Sequence, residues 1–264
     1  MFQKIYDLMC GLFWKLISIH SKRKFENGKE TIYQYGDEIF CDGKDTFDIT
    51  VKKYRCQIDK YWSEQNTYST KTYFPSMYSK TEKMVFSNFF SKYDYKPIII
   101  DVGCGSGEWT AKMAPFCSEI HGLDYSAKMI ETAKNEWKEV PNALFFSEDA
   151  RKMKLSTVYD GAVILGMLMC IDDDEMVKEM LQNICEHIKT GGYLCTRDTL
   201  NMENKKVVFM YNKRTGYNAA YRSEELYTQI IQSIGFEKVE EYILNEVKTR
   251  RLHFITKGYI WRKC

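Results

Sequence analysis

The sequence predicts an α/β protein: a seven-stranded, doubly wound sheet whose last two strands form a hairpin, with an N-terminal helical cap. From Pro97 onward, short apolar runs at 98–102, 119–123, 143–147, 161–165 and 192–196 alternate with helical patterns at 108–114, 127–139 and 173–189. Runs that are apolar throughout, separated by helices, indicate a parallel sheet covered on both faces. A helix at 223–234 comes next, then "FEKVEEYIL" and "RLHFITKGYIW" with no helix between them, so this pair can only be an antiparallel hairpin. A chain of 264 residues can bury one substantial core with a smaller appendage. The division falls between a cap and lid at 1–95 and a core at 96–264, the core carrying an insertion at about 198–221.

The cap is read from its own patterns. In "MFQKIYDLMCGLFWKLISIH", Lys4, Asp7, Gly11, Lys15 and Ser18 make one polar stripe opposite Phe2, Ile5, Met9, Phe13 and Leu16. Charges inside the apolar run argue against stable membrane insertion. Such a helix could pack on the core, cover a second subunit in a homodimer, or lie in a membrane interface. Residues 21–47 are polar, with turn signals at "ENG", "YGDE" and "CDGKD". A helix follows at 48–65, and Thr81 is placed as the N-cap of another running to 92. Between them "NTYSTKTYFPSMYSK", dense in tyrosine and hydroxyls around Pro75, suits a lid that closes over a reactive group.

Composition excludes several classes. A net charge of +2 and short, scattered basic runs ("SKRK", "NKR") leave no footprint for nucleic acid. Nine cysteines with no C-x-x-C pair and no Cys/His cluster speak against zinc and disulfides, and for a reduced, cytoplasmic protein. Asp172, Asp173 and Asp174 read as the solvated start of a helix, where negative charge is favourable, and no metal is expected.

The stretch that points to function is "IIIDVGCGSGEWT". Gly103, Gly105 and Gly107 remove side chains where a strand turns into a helix, so a ligand can lie against the main chain at the carboxyl edge of the sheet. A dinucleotide fingerprint would need glycine at Glu108, and no Lys-Ser/Thr pair follows to make a phosphate-cradling loop. The glycines instead alternate behind an acid, in the order Asp101, Gly103, Gly105, Gly107, with Cys104 inside the turn.

This arrangement resembles motif I of the class I S-adenosylmethionine-dependent methyltransferases, and the resemblance extends over roughly residues 97–236. "HGLDYSAKMI" places Asp124 where the family binds the ribose hydroxyls, with Tyr125 and Met129 as groups that could flank the adenosine or simply pack. "FFSEDARKM" places Asp149 and Ala150 at the family's adenine-contacting pair. "YDGAVILGMLMCIDDDE" matches the fourth strand and its loop, with Leu165 and Gly166 at the strand end, and "IKTGGYLCTRD" matches the turn into the fifth. The resemblance implies a Rossmann-like methyltransferase fold, S-adenosylmethionine as cofactor and a small-molecule substrate.

The four histidines, His20, His121, His187 and His253, all lie outside the fourth-strand loop, where many relatives carry one; Met169 and Cys170 stand there instead. Without a general base, the acceptor is expected to be anionic or readily deprotonated, such as a carboxylate or a phosphate-like oxygen. An acceptor-binding wall is assigned to Arg197, Asp198, Tyr211, Tyr217, Tyr221 and Arg222, with Tyr73 from the lid; packing is the alternative for each tyrosine, solvation for each arginine. Within the insertion, "VVFMY" and "YNAAY" around "NKRTG" should form a hairpin over the cleft. The chain also resembles, in length and pre-core segment, methyltransferases of bacterial capsule tailoring, including those making O-methyl phosphoramidate. "RD" after the fifth strand and "YRS" before the next helix resemble amine and peptide N-terminal methyltransferases, so N-methylation is the alternative activity. Nothing like the N/D-PP-Y/F tetrad of nucleic-acid methyltransferases follows strand four.

Overall fold

The computed structural model describes residues 22–26, 29–35, 37–42, 44–64, 79–154, 156–203, 206–248 and 252–264. The amphipathic N-terminal stretch, the tyrosine-rich lid and Tyr73 fall outside the described residues. The chain opens with β1 (Lys22–Glu26), β2 (Lys29–Tyr35) and β3 (Glu38–Asp42), then helices α1 (Lys44–Val51), α2 (Arg55–Glu64) and α3 (Ser79–Phe90). The alternating region follows: β4 (Ile98–Val102), α4 (Glu108–Met113), β5 (Glu119–Asp124), α5 (Ala127–Glu136), β6 (Ala143–Ser147), β7 (Tyr159–Leu165), α6 (Asp174–Glu186) and β8 (Ile188–Asn201). The hairpin β9 (Val207–Asn212) and β10 (Asn218–Arg222), helix α7 (Glu224–Ser233), β11 (Phe236–Lys248) and β12 (His253–Lys263) complete it.

The seven-stranded sheet runs β11-β12-β8-β7-β4-β5-β6. Strands β8, β7, β4, β5 and β6 are parallel, and β12 inserts antiparallel between β8 and β11. The hairpin expected at the C-terminus is therefore present. Strand β4 is central because Ile99, Ile100 and Val102 are wholly buried, one face meeting α6 and α7 and the other meeting α3 and α4. Helix α6 shows why such helices stay docked: Val177, Met180, Leu181 and Ile184 recur at helical spacing and are all buried. Asp173 caps it, accepting from the Glu175 amide at 2.9 Å and the Met176 amide at 3.2 Å.

Two expectations need correction. Strand β8 is 14 residues long rather than the short run at 192–196, because β12 pairs alongside it from Tyr193 to Asn201. That partner lies some sixty residues downstream and satisfies a polar backbone that local pattern reads as loop. The polar segment read as turns at 21–47 forms β1–β3 instead, so the cap is not helical alone.

These strands join the insertion in a second, wholly antiparallel sheet of order β1-β2-β3-β9-β10. Phe40 stands opposite Met210 and Cys41 opposite Phe209. Alternate side chains then face opposite ways. Ile39, Cys41, Phe209 and Tyr211 pack under Phe47, Val51 and Ile58 of the cap helices. Phe40, Val208 and Met210 pack against Leu252 and Phe254, at the start of β12. The helix expected at 48–65 is broken by a 3-10 turn at Lys52–Tyr54, and α3 begins at Ser79, two residues before Thr81. Among the described residues no helix is long and apolar enough to cross a membrane.

Candidate functional site

The end of β4 is flanked by Leu123 of β5 and Ile164 of β7, so the chain leaving Val102 emerges in the middle of the sheet's carboxyl edge. There the Gly103 and Cys104 amides both donate to the Leu123 carbonyl, at 2.7 and 3.1 Å. All three glycines have positive φ: 76° at Gly103, 56° at Gly105 and 76° at Gly107. At Gly107 a β-carbon would also stand 2.5 Å from the Phe145 ring, so the position excludes any larger residue twice over. Phe145 and Trp137, whose indole N–H donates to the Ser106 carbonyl at 2.8 Å, support the turn from beneath. A β-carbon at Gly105 would meet nothing within 4 Å, so the turn is open there.

Beneath the turn, Asp101 is 2% exposed and accepts from the Thr110 hydroxyl at 2.6 Å, which ties the strand to the first helix after the loop. Burial pushes its carboxyl up to about 7, with Asp124 adding to the rise while Thr110 and Arg197 oppose it. At the end of β5, one Asp124 oxygen accepts from the Gly105 amide at 2.9 Å and the other from the Ser126 amide at 2.8 Å. Its carboxyl is raised by burial against the pull of those two amides. A carboxylate offers about four lone-pair sites, so each oxygen keeps one for a ligand hydroxyl. Beside it Tyr125 is 64% exposed, whereas Met129 is buried in the first turn of α5.

The loop after β6 carries Asp149 and the buried Ala150, whose carbonyl accepts from the Asn183 side chain at 2.8 Å. Asp149 is gripped by Arg151, which holds its carboxyl below the ordinary aspartate range against the opposing effect of burial. Leu165 pairs with Arg197 across β7 and β8, and the Gly166 amide donates to the Arg197 carbonyl at 2.6 Å. The Arg197 guanidinium lies over Gly166, one nitrogen 3.1 Å from where a β-carbon would be. Its charge reaches Asp101, Asp198 and Cys170.

The structure divides the remaining members of the expected acceptor wall. Asp198 is adjacent to Arg197 on β8 and so faces the other way. It is buried, accepting from the Met169 amide at 3.0 Å and the Tyr227 hydroxyl at 2.9 Å, and burial raises its carboxyl to about 6. Arg222 is 2% exposed, and its fork is committed to Asp174 and to the Leu168 and Ile171 carbonyls, each at 2.8 Å. It clamps the β7–α6 loop and is not available to an acceptor. Tyr211 lies inside the cap core, stacked on Tyr54 and donating to Gln57 at 3.0 Å; Tyr221 packs 4.7 Å from Phe254. Those four therefore leave the wall for a packing reason: their side chains already fill interior contacts.

Of the other two, Arg197 lies over Gly166 and Tyr217 packs beside the cap helices. Tyr217 sits against Tyr61 and Trp62, and its hydroxyl interacts with Cys170. The Cys170 thiol bonds the Gly166 carbonyl at 3.2 Å and is pushed far up by burial. Two of the three acids do open a helix: Asp173 is the exposed N-cap of α6 and Asp174, which also pairs with Arg222, is its first residue. Asp172 differs, accepting from Lys44 at 2.9 Å and Arg55 at 3.0 Å. Among the described residues no group of three or more His, Cys, Asp or Glu is arranged to hold a metal ion.

A family model described as a methyltransferase domain matches residues 99–192. The chain therefore carries a methyltransferase domain. The matched span runs from β4 into β8 and contains the glycine turn, Asp124 and Asp149. Malonyl-[acyl-carrier protein] O-methyltransferase of Bacillus anthracis is 26% identical over 169 residues, 62% of this chain and 58% of that protein. Nodulation protein S of Sinorhizobium fredii is 22% identical over 95 residues, 36% of this chain and 44% of the relative. The chain thus spans about half the length of these curated relatives. The crystal structure of N-methyltransferase NodS from Bradyrhizobium japonicum with S-adenosyl-L-homocysteine superposes with a TM-score of 0.59 at 14% identity, covering 79% of this chain and 97% of that one. The fold is the Rossmann-like class I methyltransferase fold.

Around the methyltransferase domain's motif residues, sequence pattern alone misses the supports. Trp137 and Phe145 fall in an α5 end and a β6 strand that read as ordinary core. Thr110, nine residues after Asp101, and Arg151, two after Asp149, carry a weak signal: a hydroxyl or an opposite charge close to a motif acid.

Proposed function

We propose that the protein transfers a methyl group from S-adenosylmethionine to a small, polar, anionic acceptor, at an oxygen. The observation that carries the cofactor half is the pairing of Gly105 with Asp124. An unobstructed main chain lies beside a half-buried carboxylate that retains an accepting lone pair on each oxygen. Asp124 would hold the ribose hydroxyls, and Gly103 to Gly107 would lie along the amino-acid portion. Asp124 supplies negative charge suited to a cationic cofactor, whereas Asp101, its carboxyl raised to about 7 by burial, adds charge only above that value. S-adenosylmethionine, when bound, supplies a methyl group already attached to a good leaving group.

What is left to the chain is placement, with an acceptor atom about 3 Å from that methyl and in line with its bond to sulfur. The three described histidines are engaged elsewhere. His121 bonds Tyr159 and Glu119, His187 the Asn183 carbonyl, and His253 Glu246. A carboxylate or phosphate-like acceptor needs no base. Arg197, whose guanidinium lies over Gly166, is the cation at this edge whose chemistry matches such an anion. The relatives include an O- and an N-methyltransferase by name, so the choice of oxygen rests on Arg197 and on the histidine placement.

The test is formation of S-adenosylhomocysteine with a panel of carboxylates, phosphate and phosphoramidate esters, phenols and amines. Turnover is expected with the anions; turnover with amines alone would shift the reading to nitrogen. Binding of cofactor without turnover on any class would favour a non-catalytic role. Arg197→Lys keeps the charge but loses the fork, so kcat/KM for the acceptor should fall about tenfold with cofactor affinity unchanged. An equal loss in both would place Arg197 on the cofactor.

A further inference from the structure

We infer that the groove between the end of α5 and β6 binds an amphipathic carboxylate, an anion carried on an alkyl or aryl body, at a site separate from the glycine turn. The groove lies at the outer edge of the seven-stranded sheet, where β6 has only β5 beside it. It encloses about 420 Å³, within the range of small-molecule sites. Its walls are apolar, with Trp137 and Val140 from the end of α5 and the turn after it, and Leu144 and Phe145 from β6. Among the described residues, the only charged groups that line it are Lys134 and Lys138.

Charge decides what the groove fits. Lys134, in the last turn of α5, and Lys138, just beyond it, bring two like charges to one trench. Neither has an ion-pair partner among the described residues, whereas Lys112 and Lys178 are held by Glu108 and Glu175. A carboxylate set between the two ammonium groups accepts from both and relieves their repulsion; a cation would add to it. Leu144 is 39% exposed, so an apolar tail laid against it takes area out of water. The space is also pre-formed. The Trp137 indole N–H donates to the Ser106 carbonyl at 2.8 Å, and the Phe145 ring is wedged beneath Gly107, so neither can swing in to fill the groove. Walls that are fixed beforehand lower the cost of binding. Addition of a peptide strand fits less well, because β6 has only five residues and Pro141 stands just before it.

The experiment is titration of octanoate, and of octanamide as its neutral counterpart, into the isotope-labelled full chain, with the tryptophan indole N–H signals followed by NMR. The signal lost in Trp137→Phe identifies the reporter. Octanoate should move that signal saturably and bind about three- to tenfold more tightly than octanamide, the scale of two partly exposed charge contacts. With Lys134→Gln and Lys138→Gln together, octanoate should fall to the octanamide value while octanamide is unchanged. Leu144→Ser should weaken both probes alike. A Trp137 signal that octanoate does not move, equal affinities for the two probes, or a preference that survives loss of both lysines would overturn the site. So would a signal that moves with protein concentration and with neither probe, which would give the groove to a second copy of the chain. The readout involves no cofactor, so failure here and failure of the methyl-transfer reading are distinguishable.

Discussion

The two sheets are assembled from contacts of very different range. In the methyltransferase domain, β4–β5, β5–β6 and β7–β8 are each joined by a single crossover along the chain, and the remaining parallel pair, β4–β7, has only β5 and β6 with their helices between its strands. In the cap, β3 pairs with β9 across most of the chain, and the union is reinforced by side chains reaching into the β7–α6 loop. Lys44 and Arg55 meet Asp172 from the helical side, and Arg222 meets Asp174 from the hairpin side. The proposed nucleoside end of the site thus belongs to locally built structure, whereas the proposed acceptor end lies beside segments that must find each other across the chain. On the proposed reading, cofactor and acceptor recognition fall under separate structural control.

The strongest way to break the contrast is Arg222→Met. It removes a buried donor set from Asp174 and two carbonyls, and folding stability should fall by about 2–4 kcal/mol. Affinity for S-adenosylhomocysteine in the folded protein should change little, because the glycine turn and Asp124 are untouched. Denaturant unfolding paired with titration reads both. A variant as stable as wild type would show that the cap is attached by something other than this clamp.

Asp124→Ala probes the other side. Losing a charged acceptor should weaken cofactor binding by about 1.5–3 kcal/mol, and the freed Gly105 amide should loosen the turn as well. The melting temperature should move far less than with Arg222→Met. Unchanged affinity in a folded variant would take Asp124 out of the site.

The smallest effect concerns pH. Asp101 has its carboxyl raised from the ordinary 3.8 to about 7 in the folded protein, so between those values the native state holds a proton that the unfolded chain has released. Its contribution to stability therefore declines as pH rises from about 4 to about 7 and is flat beyond. Asp101→Asn keeps an oxygen for Thr110 and cannot ionise. Relative to wild type it should gain stability between pH 5 and pH 7.5, as read by thermal melts. A constant difference across that range would mean that Asp101 is ionised throughout.

The domain core was legible because its signals are local. Continuous apolar runs, helical spacing around Val177 to Ile184, and glycines demanded by backbone geometry all lie within a few residues of what they specify. Placement of Asp101, Asp124 and Asp149 at consecutive strand ends follows from that order. The acceptor wall was legible only in part, since Arg197 and Arg222 look alike in sequence. One lies over Gly166, and the other is drawn inward by Asp174 and two carbonyls.

Sequence by itself determined the parallel sheet, the C-terminal hairpin, the glycine turn and the acids beside it, because short-range periodicity and steric need leave few alternatives. Only tertiary structure decided that a polar, turn-rich segment becomes three strands, that Tyr211 is core, and that Arg151 pairs with Asp149. Strand partners and the direction in which a long charged side chain turns are set by groups distant in the chain, and no local pattern encodes a distant partner.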